Sequence, residues 1–487
     1  MFNRLKSSKA ARIIMVVVML SIIFQLVAPG SFEPHLQAEA SCGKDCSYYD
    51  VIVIGSEIQG VLLAKEVHKA RKSVLILDPR TQTGGELIQG QMQFLDIPND
   101  RENKSIVQGE IKYLFDAYKS GTIRKSHEFN QYFNHLIRGI PIEKGIKIQT
   151  IETVPLGKEK SLKSVTYKTK DGVTRKVQAN YWVENTDFNA LTGLLDLKRI
   201  PGMESLVSKK DSTPEYMSAT LMIKFKNVDW SKLHKTILKD YPLTNVQKKY
   251  GPNTYVDWMI ATGFGNLINQ YKTTDSQLVL RGMNTLNQKN GYAIMNALLI
   301  FDVDPSNPES VKAAIAKGTA EAPHILKFLR QNIPGFAKAE LDGFPDYLYV
   351  RDYNRFETEH ILQQNDLKTN TMFWDNVSIG GYGMDLQATK RIPTGIGFGL
   401  TDRYGMPMRS FQLKAYENVI VAGKNVGASI QAYGSARIMP NTATAAQTIG
   451  IIIGRESGHK RLKELTPDDF KRIHKYLKKD FNIVLAG

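Results

Sequence analysis

The stretch Gly55-Ser56-Glu57-Ile58-Gln59-Gly60 says most about chemistry. Two glycines at the junction of an apolar run and a helical stripe make a tight turn, and the backbone N–H groups at the helix start attract a diphosphate. Gly55 permits the turn, and Gly60 permits close packing of helix on strand. Asp78 closes the next apolar run, where a ribose-binding carboxylate belongs. Glu57 stands at the middle-glycine position, the one that lets backbone approach the phosphates. A carboxylate is tolerated there only if its side chain turns aside. Further along, His360 in Glu357-Thr358-Glu359-His360 is the candidate base, because flanking carboxylates can orient an imidazole. Arg351, Arg355, Arg409 and Arg437 are candidates to clamp an anionic substrate, and Tyr382 and Tyr404 are weaker candidates. No HExxH, GxSxG or paired-cysteine metal pattern occurs, so hydrolase and metalloenzyme readings have no support and no metal site is expected.

The elements that must position these residues follow from periodicity. Asp50–Ile54 reads as a buried parallel strand, Val61–Ala70 as a helix with an apolar stripe, and Ser73–Asp78 as a second strand. Strand, glycine turn, helix, strand and terminal acid together are the βαβ dinucleotide unit. A helical stretch covers about 106–119, and 145–154 reads as a strand. Asp171-Gly172 is a hairpin turn between 162–170 and 173–177, and 181–187 reads as a separate return strand. Residues 219–226 and 278–283 read as strands, and 310–318 and 322–332 as two helices before the Pro334-Gly335 break. Thr466-Pro467-Asp468-Asp469 starts a C-terminal helix running to about Lys479.

Thr83-Gly84-Gly85 follows the second strand, and here the sequence resembles the FAD-dependent oxidoreductases. A later block is similar to a bacterial branch of that family with unassigned substrates. It contains Gly380-Gly381-Tyr382, Asp385, Tyr404–Ser410, Asn418–Asn425, Ala432–Pro440 and Ala446–Gly450. The resemblance covers about 48–100 and 350–455. It implies an α/β fold, with an FAD/NAD(P)-binding Rossmann-like parallel sheet, an inserted β-hairpin or meander, and a mixed α+β substrate domain. FAD is the implied cofactor. Gly55, Ser56, Glu57, Gly60, Asp78, Arg80, Gly84 and Gly85 would form one half of its site. Gly423, Lys424, Asn425, Arg437, Met439, Pro440 and Thr442 would form the other. Ala443, Ala445, Ala446, Gly450 and Gly454 suit a helix that packs closely on the cofactor domain, its N-terminal end towards the flavin. The expected organisation is 48–200 and 401–460 for the FAD domain, 201–400 for substrate and 461–487 for the C-terminal helix. Gly263-Phe264-Gly265 and Gly395-Ile396-Gly397 lack the strand–helix context of a second dinucleotide turn. The expectation is therefore direct hydride transfer from a substrate, with His360, Arg351, Arg437 and Tyr382 as catalytic candidates and an unidentified electron acceptor. The alternatives are a degenerate relative that binds a ligand or an envelope (wall) polymer without redox chemistry, and NAD in place of FAD.

Composition bounds the rest. The 487 residues are 42% hydrophobic and 23% charged, near globular averages, which excludes disorder, collagen and coiled coil as the main state. The net charge of +16 is spread out, and no nucleic-acid motif accompanies it. A solvated basic surface, or attraction to an anionic membrane or wall polymer, is the reading. Arg4, Lys6, Lys9 and Arg12 precede an uncharged run from Ile13 to Ala28. Residues 1–40 therefore read as a cleaved signal, an uncleaved anchor or a buried helix, and the first two place the rest outside the cytoplasm. Residues 41–47 read as a linker, in which Cys42 and Cys46 are a local disulfide or two idle thiols.

Overall fold

Residues 51–54 are apolar at every position, and the protein uses both faces they offer. The computed structural model describes residues 46–207 and 213–485. The N-terminal segment read as signal or anchor, and Cys42, lie outside the described residues. Cys46 is disulfide-bonded. In strand Cys46–Ile54 (β1), Val51 and Val53 enter one core with Val61, Leu62 and Ile449. Ile52 and Ile54 enter another with Leu162, Val165 and Val419. Burial on both faces is why a parallel strand reads as an unbroken apolar run. Helix Ile58–Lys69 (α1) follows, then Val74–Asp78 (β2), which pairs parallel to β1. Helices Gly85–Ile88 (α2), Ile111–Ser120 (α3) and Ser126–Leu136 (α4) lead to Ile142–Lys144 (β3), parallel to β2.

The inserted hairpin is present as an antiparallel meander of Lys147–Leu156 (β4), Glu159–Lys168 (β5) and Thr174–Glu184 (β6). The two return segments expected from the sequence are one strand. Thr174–Gln178 pairs with β5 while Lys176–Glu184 pairs parallel to β1, so β6 belongs to both arrangements.

A second, antiparallel sheet contains Ala219–Lys226 (β7), Tyr255–Val256 (β8), Ile260–Thr262 (β9), Leu278–Leu280 (β10), Thr285–Asn287 (β11), Ala293–Ile300 (β12) and Glu340–Leu341 (β13). Its order is β13-β7-β12-β11-β9-β8, with β10 on β12. The expected pair of helices is a single helix, Pro308–Asn332 (α5), with Pro323 inside it. Proline in a helix interior costs about 3 kcal/mol. The buried stripe Ala314, Gly318, Ala322, Ile325 and Leu329 runs along the whole element, and its packing outweighs the local break.

The chain then returns to the first sheet. Strand Asn376–Gly380 (β14) pairs with Tyr404–Pro407 (β17), and between them Asp385–Leu386 (β15) pairs with Ile396–Gly397 (β16). Val419–Val421 (β18) joins β6 in parallel, so the parallel part of the sheet reads β3-β2-β1-β6-β18. Helices Ile430–Ala436 (α6) and Met439–Glu456 (α7) follow. A Cβ on Gly450 would lie 2.5 Å from the carbonyl oxygen of Leu63, so α7 meets α1 at backbone distance, as its small residues predict. Pro467–Phe481 (α8) is the last helix of the described residues, and the Thr466 hydroxyl accepts from the Asp469 N–H as its cap. Among the described residues no helix is long and apolar enough to cross a membrane.

Candidate functional site

The glycine turn lies between β1 and α1. Gly55 has φ +96°, and a Cβ there would sit 2.4 Å from the Asn185 carbonyl oxygen. Gly60 donates its N–H to Asn185 Oδ1 at 2.6 Å. Asp78, at the end of β2, reaches the turn as expected, but its oxygens are held by the chain. Oδ2 accepts from the Ser56 N–H at 2.9 Å, from the Ser56 hydroxyl and from Arg80. Oδ1 accepts from the Arg80 N–H at 2.8 Å and Nε at 3.1 Å.

Glu57 is buried, with its side chain folded onto the Gly84-Gly85 loop. Its Oε1 accepts from Arg80, and its Oε2 accepts the Glu86 N–H at 2.9 Å. The absent side chain of Gly85 makes the room: a Cβ there would fall 1.6 Å from Glu57 Oε1. Lys424 closes the far side, with Nζ 2.6 Å from Glu86 and 2.7 Å from Asp187. Burial pushes the carboxyl groups of Glu57, Glu86 and Asp187 up. Burial opposes charge on Lys424 too, but Asp187 and Glu86 outweigh it and raise its pKa well above the ordinary value.

A small cavity of about 10 Å³, room for about one water molecule, adjoins this network, lined by Glu86, Asp96, Tyr349, Lys424, Arg437 and Met439 among others. Arg437 and Met439 bring the start of α7 to its wall. Arg437 donates to the Tyr349 hydroxyl at 3.1 Å, while its buried Nε has no partner. Asp96 Oδ1 accepts from the Tyr382 hydroxyl at 2.9 Å. Burial raises the Asp96 pKa against the pull of Arg437 and Tyr382. Arg351 lies behind Tyr349, its guanidinium 4.4 Å from the ring centroid. The second sheet holds it there through Thr220 Oγ1 at 2.7 Å and Asn296 Oδ1 at 3.0 Å. Burial, with Arg281 and Arg437 nearby, pushes its pKa down to about 10, against the opposing pull of Tyr349.

The other candidates are placed elsewhere or serve the frame. His360 lies 3.5 Å from Asp366 and against the Phe373 ring, and none of its recorded partners lines the cavity. Arg355 pairs with Asp352, Arg409 pairs with Asp375, and the Tyr404 hydroxyl meets Ser435. Gly423 abuts Gln59 and Asn185, and Asn425 donates to the Thr186 carbonyl at 2.9 Å. Thr442 Oγ1 accepts from Gln59 at 3.2 Å, tying α7 to α1, and Pro440 lies in the first turn of α7. Sequence reasoning missed Glu86, Asp96, Asp187 and Tyr349. Asp187 carries a usable signal, because it follows β6 as Asp78 closes β2, and ligands of open α/β sheets bind beyond the carboxyl ends of strands.

Solved structures similar to the chain share little sequence. A geranylgeranyl bacteriochlorophyll reductase-like protein from Thermoplasma acidophilum is 11% identical, with a TM-score of 0.40 over 90% of this chain and 84% of that one. A myxobacterial chondrochloren halogenase is 12% identical, with a TM-score of 0.38 over 90% and 80%. A flavoprotein/dehydrogenase from Cytophaga hutchinsonii is 13% identical, with a TM-score of 0.35 over 89% and 84%. No curated protein matches the chain. The family model for FAD dependent oxidoreductases matches residues 50–477, a span that holds the glycine turn, both sheets and α7: the chain belongs to that family.

Proposed function

We propose that the protein is an FAD-dependent oxidoreductase that removes hydride from an anionic small molecule and passes the electrons to a separate acceptor. The residues fit the cofactor. The turn carries its glycines, Gly85 leaves a cradle that a Cβ would fill, and α7 begins at the cavity wall. The carboxylate of Glu57, with Glu86 and Asp187 close behind it on Lys424, is what is out of keeping with a diphosphate. Bound FAD supplies the two-electron acceptor, and the chain supplies position and proton management.

The observation that carries this reading is that Arg437 and Asp96 line the same small cavity. The unpartnered Nε of Arg437 is a charged donor for a substrate carboxylate or phosphate. Asp96 is the base in this reading, its carboxyl held above the ordinary carboxylate value chiefly by burial. Tyr382 positions it by donating to Oδ1. Arg351 adds positive potential from behind Tyr349. The test is an anaerobic titration of the purified yellow protein with hydroxy- and amino-carboxylates beside their methyl esters. Bleaching by an acid and not by its ester supports the reading; equal bleaching by both sinks the anionic substrate. The reading also places the protein outside the cytoplasm, exported or anchored by its basic-then-apolar N-terminal segment, with its +16 charge facing anionic envelope polymers. Protease access to a C-terminal tag on intact cells tests that placement, and a tag that stays protected overturns it.

A further inference from the structure

We infer that Glu57 is an intramolecular stand-in for one phosphate of the cofactor diphosphate, an inference that rests on FAD being the cofactor. Three observations converge on it. Glu57 occupies the turn position at which backbone approaches a dinucleotide's phosphates. Its carboxylate takes the donors an incoming phosphate oxygen would use, the Arg80 guanidinium and the Glu86 N–H. It also fills the cradle that Gly85 leaves open, where a Cβ would stand 1.6 Å from Oε1.

Charge decides what binding must do. Glu57, Asp78, Glu86 and Asp187 face only Arg80 and Lys424 as ion-pair partners in this network. A diphosphate entering beside them meets repulsion unless one negative group leaves. Glu57 is the group able to leave. Asp78 is bound on both oxygens by Ser56 and Arg80, and it keeps Arg80 aimed at the niche through Nε and NH2 after NH1 is released. Burial and the nearby Asp187 already push the Glu57 carboxyl up, so its charged form is disfavoured where it sits. Binding is then an exchange of an internal anion for an external one. Arg80 stays paired throughout, and the niche does not collapse in the cofactor-free chain.

The test is fluorescence titration of the full-length chain, stripped of flavin, with FAD and with riboflavin, which has no phosphate. Glu57→Gly and the near-isosteric Glu57→Gln should each bind FAD roughly tenfold or more tightly than the parent, because like-charge juxtaposition is removed. Riboflavin affinity should be unchanged. Arg80→Met placed on Glu57→Gln should undo most of the gain. Thermal melts of the stripped proteins check that each variant folds. Equal FAD affinity in parent and both variants overturns the inference and leaves FAD as cofactor standing. A gain shared equally by riboflavin also overturns it, since the effect would not be on the diphosphate. Failure of every folded variant to take up FAD removes both the inference and the cofactor reading beneath it.

Discussion

Lys424 holds Glu86 and Asp187 at once, at 2.6 and 2.7 Å, with little exposure of any of the three side chains. Removing one partner of a buried pair costs about 3–5 kcal/mol, because the remaining charge is left uncompensated. Lys424→Met should therefore lower the melting temperature sharply at neutral pH. The sign of its pH dependence follows from the acids. Both carboxyls titrate above their ordinary values when folded, and loss of Lys424 drives them higher. Their contribution is fully present below the unfolded values, about 4, and lost as pH rises through the folded ones. Melts of parent and variant should thus converge towards about pH 4–5 and diverge above it; a constant gap would refute the assignment. Asp96 gives a kinetic prediction. Asp96→Asn should slow substrate-dependent bleaching by roughly 100-fold while the bound flavin spectrum stays unchanged. The turn residues were legible because their chemistry is local: a βαβ unit fixes glycine and acid by short spacing. Asp96 was not, because it sits in a loop without periodicity and only the return of Arg437 from far along the chain gives it meaning. His360 looked stronger in sequence because its carboxylate neighbours are local, yet its ring rests on Phe373.

Among the elements, α7 shows best how sequence and packing agree. Its glycines and alanines read as a close-packing face, and Gly450 and Gly454 meet Leu63 and Ala70 of the α1 region. Gly450→Val would drive a side chain into backbone atoms of α1, which cannot yield as a flexible side chain can. Overpacking of this kind costs about 1–3 kcal/mol, and the start of α7 should shift with it. Chemical denaturation should show the stability loss, and FAD titration should show weaker uptake. A variant as stable as the parent would mean the two helices are not in backbone contact. The elements that sequence divided wrongly share one cause. β6 and α5 contain local breaks, yet each is held along its length by a partner distant in sequence, β1 for the strand and β7 with β12 for the helix. Local propensity marks the break, and tertiary burial erases it.

At the scale of the molecule, the turn at 55–60 and the segment 423–442 meet through Gln59, which abuts Gly423 and donates to Thr442 Oγ1. A ligand that bridges these parts binds only the folded chain. FAD at a hundredfold above its dissociation constant should therefore add about 2.7 kcal/mol to stability. In a thermal scan both near- and far-ultraviolet signals should move up together. A shift in one signal alone would show that the cofactor orders only part of the chain.

The pairing of Val419 with Trp182 sets a timetable for synthesis. Until β18 leaves the ribosome, the far end of β6 is an unpaired apolar edge, and the whole antiparallel sheet is made while it waits. Domains fold as their chains emerge, at about 5–20 residues per second, so this edge stays open for tens of seconds. Such an edge is a template for wrong strands.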